Sequence, residues 1–195
     1  MTLIHYIQQL DQTITLFLNS LNCPFTDAIW QLFSAKTVWF PFYFIVAVCF
    51  IWRLGWKRGG VVILSCILTI VCCDQFANFT KDAVERLRPC WDLNMVDGGL
   101  HLLEWRGNLY GFYSAHAANA MGFAVCSSMG FKNDGRLRYR GYTIAVTIWA
   151  VLVGLSRVFV GKHFFGDVCV GFLVGSLFAW TFGRLASLAI RKFNL

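Results

Sequence analysis

Apolar positions in this chain fall into long blocks separated by short charged stretches. Residues 3–19, LIHYIQQLDQTITLFLN, set Leu3, Ile4, Ile7, Leu10, Ile14, Phe17 and Leu18 on one helical face with Gln8, Asp11 and Gln12 opposite. That is too polar for a bilayer crossing, and an amphipathic helix lying in the interface over residues 1–22 is expected instead. Five apolar blocks follow, at 37–52, 60–80, 110–131, 142–155 and 164–183. Each approaches the roughly 20 residues that cross a hydrocarbon layer. The first does so only if its helix begins near Asp27, and Pro41 should kink it or mark its start. The expected fold is all-α: one integral membrane helical bundle over 1–195, with five transmembrane helices and an N-terminal interfacial helix. Gly171 and Gly175 form a GxxxG pattern that favours close helix packing.

Composition agrees with the blocks. The chain is 57% hydrophobic with a mean hydropathy of +0.58, above the roughly 45–50% apolar content of soluble domains. The net charge of +7 does not point to nucleic acid, because the basic residues sit between apolar blocks and act as a topology signal. Loops 53–58 and 132–140 and the tail after Gly183 are expected in the cytoplasm. The N-terminus, the 81–109 loop and the 156–163 connection then share the opposite face, where Lys81, Arg86 and Arg88 run against the rule and so need another role. Six of eight cysteines lie inside apolar blocks as small hydrophobes, while Cys23 and Cys90 lie outside and could pair on an oxidising face. The N-terminus lacks the basic region and short apolar core of a cleavable signal peptide, so residue 1 is expected to be retained.

Three polar stretches on that outer side could carry chemistry. In SRVFVGKHFFGD (156–167), His163 and Asp167 are four apart and share a face on a helix starting near residue 163. The aspartate can fix the imidazole tautomer and stabilise its charge, leaving the other nitrogen as nucleophile or base. The plainer alternative is a loop-edge histidine satisfied by a carboxylate. Arg157 offers a planar fork for phosphate oxygens, or snorkels to lipid headgroups. In YSAHAANA (113–120), His116 opens the third span, where an ionisable group is functional by default. The helix start there exposes backbone N–H groups at Ser114, Ala115 and His116 that favour an anion, with Ser114 as a possible N-cap. In KDAVERLRP (81–89), Lys81 and Arg88 are two helical turns apart on one face and Pro89 stops the helix. They are lipid-headgroup anchors or an oxyanion site. Asp74 and Asn78, on about that face, are expected to support them inside the bundle.

Lys81, six residues, Arg88-Pro89; YSAH; and Ser156-Arg157, five residues, His163, three residues, Asp167: this ordered set resembles the three-part signature of the type 2 phosphatidic acid phosphatase superfamily. The motifs lie at 81–89, 113–116 and 156–167, and the hydrophobic layout extends the likeness over nearly the whole chain. The resemblance implies a phosphohistidine at His163, oriented and charged by Asp167, with His116 as general acid to the leaving group and then base for water. It implies a phosphate cradle of Lys81, Arg88, Arg157, Ser114 and the N–H of Ala115. No metal and no cofactor is implied, and the absence of an Asp/Glu/His cluster with ligand spacing agrees. The motif leaves the position of Lys162 variable, so Lys162 is taken as an interfacial cation, and Gly161 as the turn between Arg157 and His163.

The chain departs from the pattern at Tyr113, where the family has proline, and at Ala115, where it has glycine. Ala115 keeps the N–H, and Tyr113 is placed in the interfacial aromatic belt. The leading expectation is a bacterial-type inner-membrane lipid phosphatase with its active site on the periplasmic face. Undecaprenyl pyrophosphate is the first candidate substrate, ahead of phosphatidic acid, phosphatidylglycerol phosphate and lipid A phosphates. A lipid-to-lipid phosphotransferase using the same histidine, and a non-enzymatic headgroup-binding protein, are the alternatives. The expected partners are the lipid phosphate and membrane lipids, with no nucleic acid and nothing that calls for an obligate protein partner. The loop CWDLNMVDGGLHLLEWRGNLYG, with His101, Glu104 and Arg106, reads as a lid or, by preference, as interfacial contacts.

Overall fold

The computed structural model describes residues 3–195. Residues 1 and 2, where the expected interfacial helix would begin and where retention of residue 1 would be judged, lie outside the described residues. Among the described residues, seven α-helices run in order: α1 (Leu3–Ser20), α2 (Pro24–Ser34), α3 (Phe40–Val84), α4 (Leu93–Asp97), α5 (Ala115–Phe131), α6 (Arg140–Phe159) and α7 (Phe165–Lys192). Short 3-10 turns precede α3 and α4. The only extended pairing among the described residues is a single antiparallel bridge between Leu87 and Tyr110.

Among the described residues, three helical stretches are long and apolar enough to cross a bilayer: Lys36–Val84, Arg140–Phe159 and Phe165–Lys192. The first is bent back on itself at Gly55, whose φ of 81° and ψ of 165° break the helix. Its two arms lie against each other, with Val46 and Phe50 in one apolar cluster with Val62 and Cys66. Gly59 allows that approach, because a β-carbon there would stand 2.8 Å from the Phe50 carbonyl oxygen. The five apolar blocks thus fall on the two arms of α3 and on α5, α6 and α7.

The expected start of the first block near Asp27 is wrong. α2 ends before Ala35, whose extended ψ of 109° turns the chain, and Pro41 sits in the first turn of α3 rather than kinking a longer helix. At 17 residues, α5 is about 25 Å long. It is enclosed on nearly all sides, with Ala117, Ala118, Ala120 and Ala124 buried, and is the central post of the bundle. Gly171 and Gly175 seat α7 directly on it: β-carbons there would meet the Ser114 and Ala118 carbonyl oxygens at 2.7 and 2.2 Å.

The amphipathic helix α1 is inverted relative to one on a soluble protein. Leu3, Ile4, Ile7, Leu10 and Phe17 face outward, while Thr15 and Asn19 are buried against the bundle. An apolar face turned to lipid and a polar face turned to protein is what an interfacial helix requires. Loops 53–58 and 132–140 and the C-terminus gather at one end, through Arg53–Asp134 at 2.9 Å and a hydrogen bond from Arg58 to the Leu195 carbonyl. The three polar motifs gather at the other.

Candidate active site

The helix carrying Lys81 ends at Val84, and Glu85 adopts a left-handed conformation, φ 49°. Lys81 and Arg88 therefore do not share a helical face as expected. The chain instead becomes extended and pairs with 109–111, through Arg88 N–H to Leu109 O at 3.0 Å and Gly111 N–H to Arg86 O at 2.9 Å. This ribbon brings Arg88 back beside Lys81 at the wall of a cavity of about 290 Å³. Its lining includes Lys81, Arg88, Ala115, His116, Arg157 and His163, drawn from all three motifs, with Asp74 and Asn78. Arg88 Nε donates to Tyr110 O at 3.1 Å, and its terminal nitrogens have no hydrogen-bond partner among the described residues.

His163 precedes α7 rather than lying within it, since that helix starts at Phe165. Gly161, with φ 77°, makes the turn that precedes it. The pairing still forms between loop and first turn: His163 Nδ1 stands 3.5 Å from Asp167 Oδ2. Both are enclosed, at 2% and 0% exposure. Burial, then the nearby Arg88 and Arg157 cations, pushes the His163 pKa well below the ordinary 6.5. The imidazole is therefore neutral and keeps a lone pair.

Ser114 occupies the N-cap position of α5, but its hydroxyl does not cap the helix and is buried without a partner. Its backbone N–H is not free as expected, because it donates to the Asp167 carbonyl at 3.1 Å. The first N–H groups of α5, at Ala115 and His116, have no intrahelical acceptor. Asp74 accepts from Asn119 at 2.8 Å, whereas Asn78 is exposed at the cavity rather than enclosed in the bundle. Tyr113 is not in an interfacial belt: it is buried and donates to the Cys73 carbonyl at 3.0 Å.

Four participants were not among the expected site residues. Glu104, from the loop after α4, holds both terminal nitrogens of Arg157 at 3.2 and 3.3 Å, leaving Arg157 Nε unpaired. Ser34 hydrogen-bonds to the same arginine and glutamate. Lys36, just past α2, lines the cavity with no ion-pair partner among the described residues. Arg86 donates to Asp167 Oδ1 at 2.7 Å and to Asp11 Oδ2 at 2.6 Å. The 81–109 loop thus folds over the site. Lys162 helps hold it there, being buried and donating to the Trp105 and Arg106 carbonyls rather than acting as an interfacial cation. Cys23 and Cys90 are both free.

A second cavity of about 250 Å³ adjoins the first, sharing Lys36, Asp74 and His116 with it. Its other walls are mainly apolar, including Trp39, Phe40, Tyr43, Ile70 and Val153. The pair of cavities has room for an anion beside His116 and His163 and for an apolar group beyond it.

A family model described as PAP2 superfamily matches residues 59–191. The lipid A 4'-phosphatase of Bacteroides thetaiotaomicron is 30% identical over 186 residues, covering 94% of this chain and 80% of that one. The lipid A 4'-phosphatase of Porphyromonas gingivalis is 31% identical over 179 residues, covering 88% and 71%. The crystal structure of a transmembrane PAP2-type phosphatidylglycerolphosphate phosphatase from Bacillus subtilis superposes with a TM-score of 0.72 at 22% identity, covering 93% of this chain and 87% of that one.

Proposed function

The chain belongs to the PAP2 superfamily and is a multi-pass membrane phosphatase acting on a lipid phosphate, and from that premise we propose that it cleaves a lipid A-type phosphomonoester through a phosphohistidine at His163. The observation that carries the reading is the polar cavity lined by Lys36, Lys81, Arg88, Arg157, His116 and His163, adjoining a mainly apolar one with which it shares Lys36, Asp74 and His116. Phosphate and lipid then occupy adjoining compartments.

Asp167 Oδ2, 3.5 Å from His163 Nδ1, is placed to take up that nitrogen's proton, which leaves Nε2 with the lone pair that attacks phosphorus. Lys81, Arg88, Arg157, the Ser114 hydroxyl and the Ala115 N–H receive the equatorial oxygens as the ester bond breaks. Arg157 contributes through the donors that Glu104 leaves free. His116 gives a proton to the departing lipid oxygen, then takes one from the water that attacks the phosphohistidine and releases inorganic phosphate. Asp74, tied to Asn119, and Asn78 support the cavity wall.

Two relatives that align over most of their length bear the name lipid A 4'-phosphatase. A lipid A phosphomonoester therefore replaces undecaprenyl pyrophosphate as the first candidate. With the basic loops at the opposite end of the bundle, the site is assigned to the periplasmic face of an inner membrane.

The test is a phosphate-release panel with purified protein in lipid vesicles, comparing lipid A, undecaprenyl pyrophosphate, phosphatidic acid and phosphatidylglycerol phosphate. Lipid A should be turned over with kcat/KM at least ~10-fold above the others, a discrimination of ~1.4 kcal/mol. A preference for the pyrophosphate would overturn the substrate, and label passing to a second lipid instead of to water would make the protein a phosphotransferase.

A further inference from the structure

Asp11, Thr15 and Asn19 recur at four-residue spacing and form the protein-facing stripe of α1. Each meets a segment that carries the chemistry. Asp11 Oδ1 accepts from the Gly166 N–H at 2.7 Å, and Thr15 Oγ1 from the Phe165 N–H at 2.9 Å. Asn19 donates to the Val158 and Phe159 carbonyls at 3.1 and 3.0 Å. The first N–H groups of α7, which its own helix cannot satisfy, are thus capped by another helix, one turn or less from His163 and Asp167.

Arg86 joins these parts. One terminal nitrogen donates to Asp167 Oδ1 at 2.7 Å and the other to Asp11 Oδ2 at 2.6 Å. Its guanidinium also lies 4.1 Å from the centre of the Phe164 ring. Asp167 Oδ2, the oxygen facing His163, accepts in addition from the Phe164 N–H at 3.1 Å. With both oxygens engaged, the carboxylate cannot rotate away from the imidazole. Arg86 is also the cation that compensates a carboxylate with no solvent exposure. It is not among the residues lining the phosphate cavity.

We propose that Arg86, clamped by Asp11 of α1, is a positioning residue that fixes the Asp167 carboxylate against His163, making the interfacial helix a structural part of the catalytic pair. The inference rests on His163 and Asp167 acting as proposed above. Because α1 turns its apolar face outward, the clamp is built on a helix that a lipid surface holds in place.

Arg86→Ala, assayed in vesicles on the preferred lipid phosphate, should lose about 10- to 100-fold in kcat, the usual cost of removing a group that orients a reacting one, with KM changed by less than about threefold. The side chain borders an open groove of about 450 Å³ beside Asp11, so guanidinium ion added at millimolar concentration should restore kcat at least about fivefold in Arg86→Ala and not at all in His163→Ala. Asp11→Asn should lose about three- to tenfold in kcat at unchanged KM, and it carries the test alone if Arg86→Ala does not fold. Unchanged kcat in either variant, a loss residing in KM, or a loss that guanidinium does not repair would overturn the proposal. Activity persisting in His163→Ala would instead sink the catalytic assignment on which it stands.

Discussion

Both ends of the bundle gather arginines and carboxylates, and they use them in opposite ways. At the end holding loops 53–58 and 132–140, Asp134 accepts from Arg53, Arg136 and Tyr139, and the cluster is closed on itself. At the other end, Lys36, Lys81 and Arg88 have no ion-pair partner among the described residues, Arg157 is paired with Glu104, and Asp74 is the carboxylate among the lining residues, while the Ser114 hydroxyl and Arg157 Nε have no hydrogen-bond partner there. Three unpaired cations against one lining carboxylate leave an excess of two, which suits a phosphate monoester, whose charge near neutral pH is about −1.5 to −2. A saturated ionic cluster fastens loops together. An unsaturated one, enclosed and lined with donors, is a receptor.

The widest separation of the two ends should come from His163→Gln. Loss of the nucleophile should lower kcat by at least about a thousandfold, with no labelled phosphoenzyme trapped by rapid quench, while Asp134→Asn should leave turnover per folded molecule within about twofold. Residual activity above about a tenth of the original in His163→Gln would break the comparison at its centre. Arg88→Ala comes next. Removing one donor from the cradle should cost about 10²- to 10³-fold in kcat/KM, against less than about twofold for Arg136→Ala measured in the same vesicles. Equal losses at the two arginines would mean that both ends serve stability alone.

The convergence of the motif residues on one cavity was legible because the proposed phosphate chemistry restricts residue type, to a nucleophile, its carboxylate, an acid and several cations. Their means of assembly was not. Helical periodicity placed Lys81 and Arg88 on one face, yet Glu85 ends the helix, and the two converge because 86–88 pairs with residues about 20 positions downstream. No local pattern encodes that pairing. Glu104 and Lys36 belong to no motif: Glu104 reaches Arg157 through the fold of the 81–109 loop, and Lys36 reaches the cavity through the break at Ala35. Arg86 did leave a trace, as a cation against the positive-inside rule, and Asp11 left another, on the polar face of the amphipathic helix with Gln8 and Gln12, whereas Thr15 and Asn19 gave no such signal. Joining the two traces required the bundle. The apolar blocks were readable, but the start of the first helix was not, because the stretch DAIWQLFSAKT mixes apolar and polar residues without a Gly or Pro to mark the turn at Ala35.

Two smaller effects sharpen the contrast through protonation. The His163 imidazole is held neutral by burial and by surrounding cations, so its pKa lies well below 6.5. In nitrogen-detected NMR of the substrate-free protein, with its signal assigned by absence in His163→Gln, it should remain uncharged at pH 6, and a midpoint above about 6.5 would contradict the electrostatics of the cavity. At the closed end the sign is reversed. The Tyr139 hydroxyl and the Arg136 guanidinium hold the Asp134 carboxyl below the usual range, so its stabilising effect is fully present above about pH 4 and is lost as pH falls through the lowered value. Asp134→Asn should therefore lower the apparent Tm by a few degrees at pH 7 and by progressively less as the pH approaches that lowered value. A Tm difference that stays constant down to the acid limit would show that the cluster fastens the loops by shape rather than by charge.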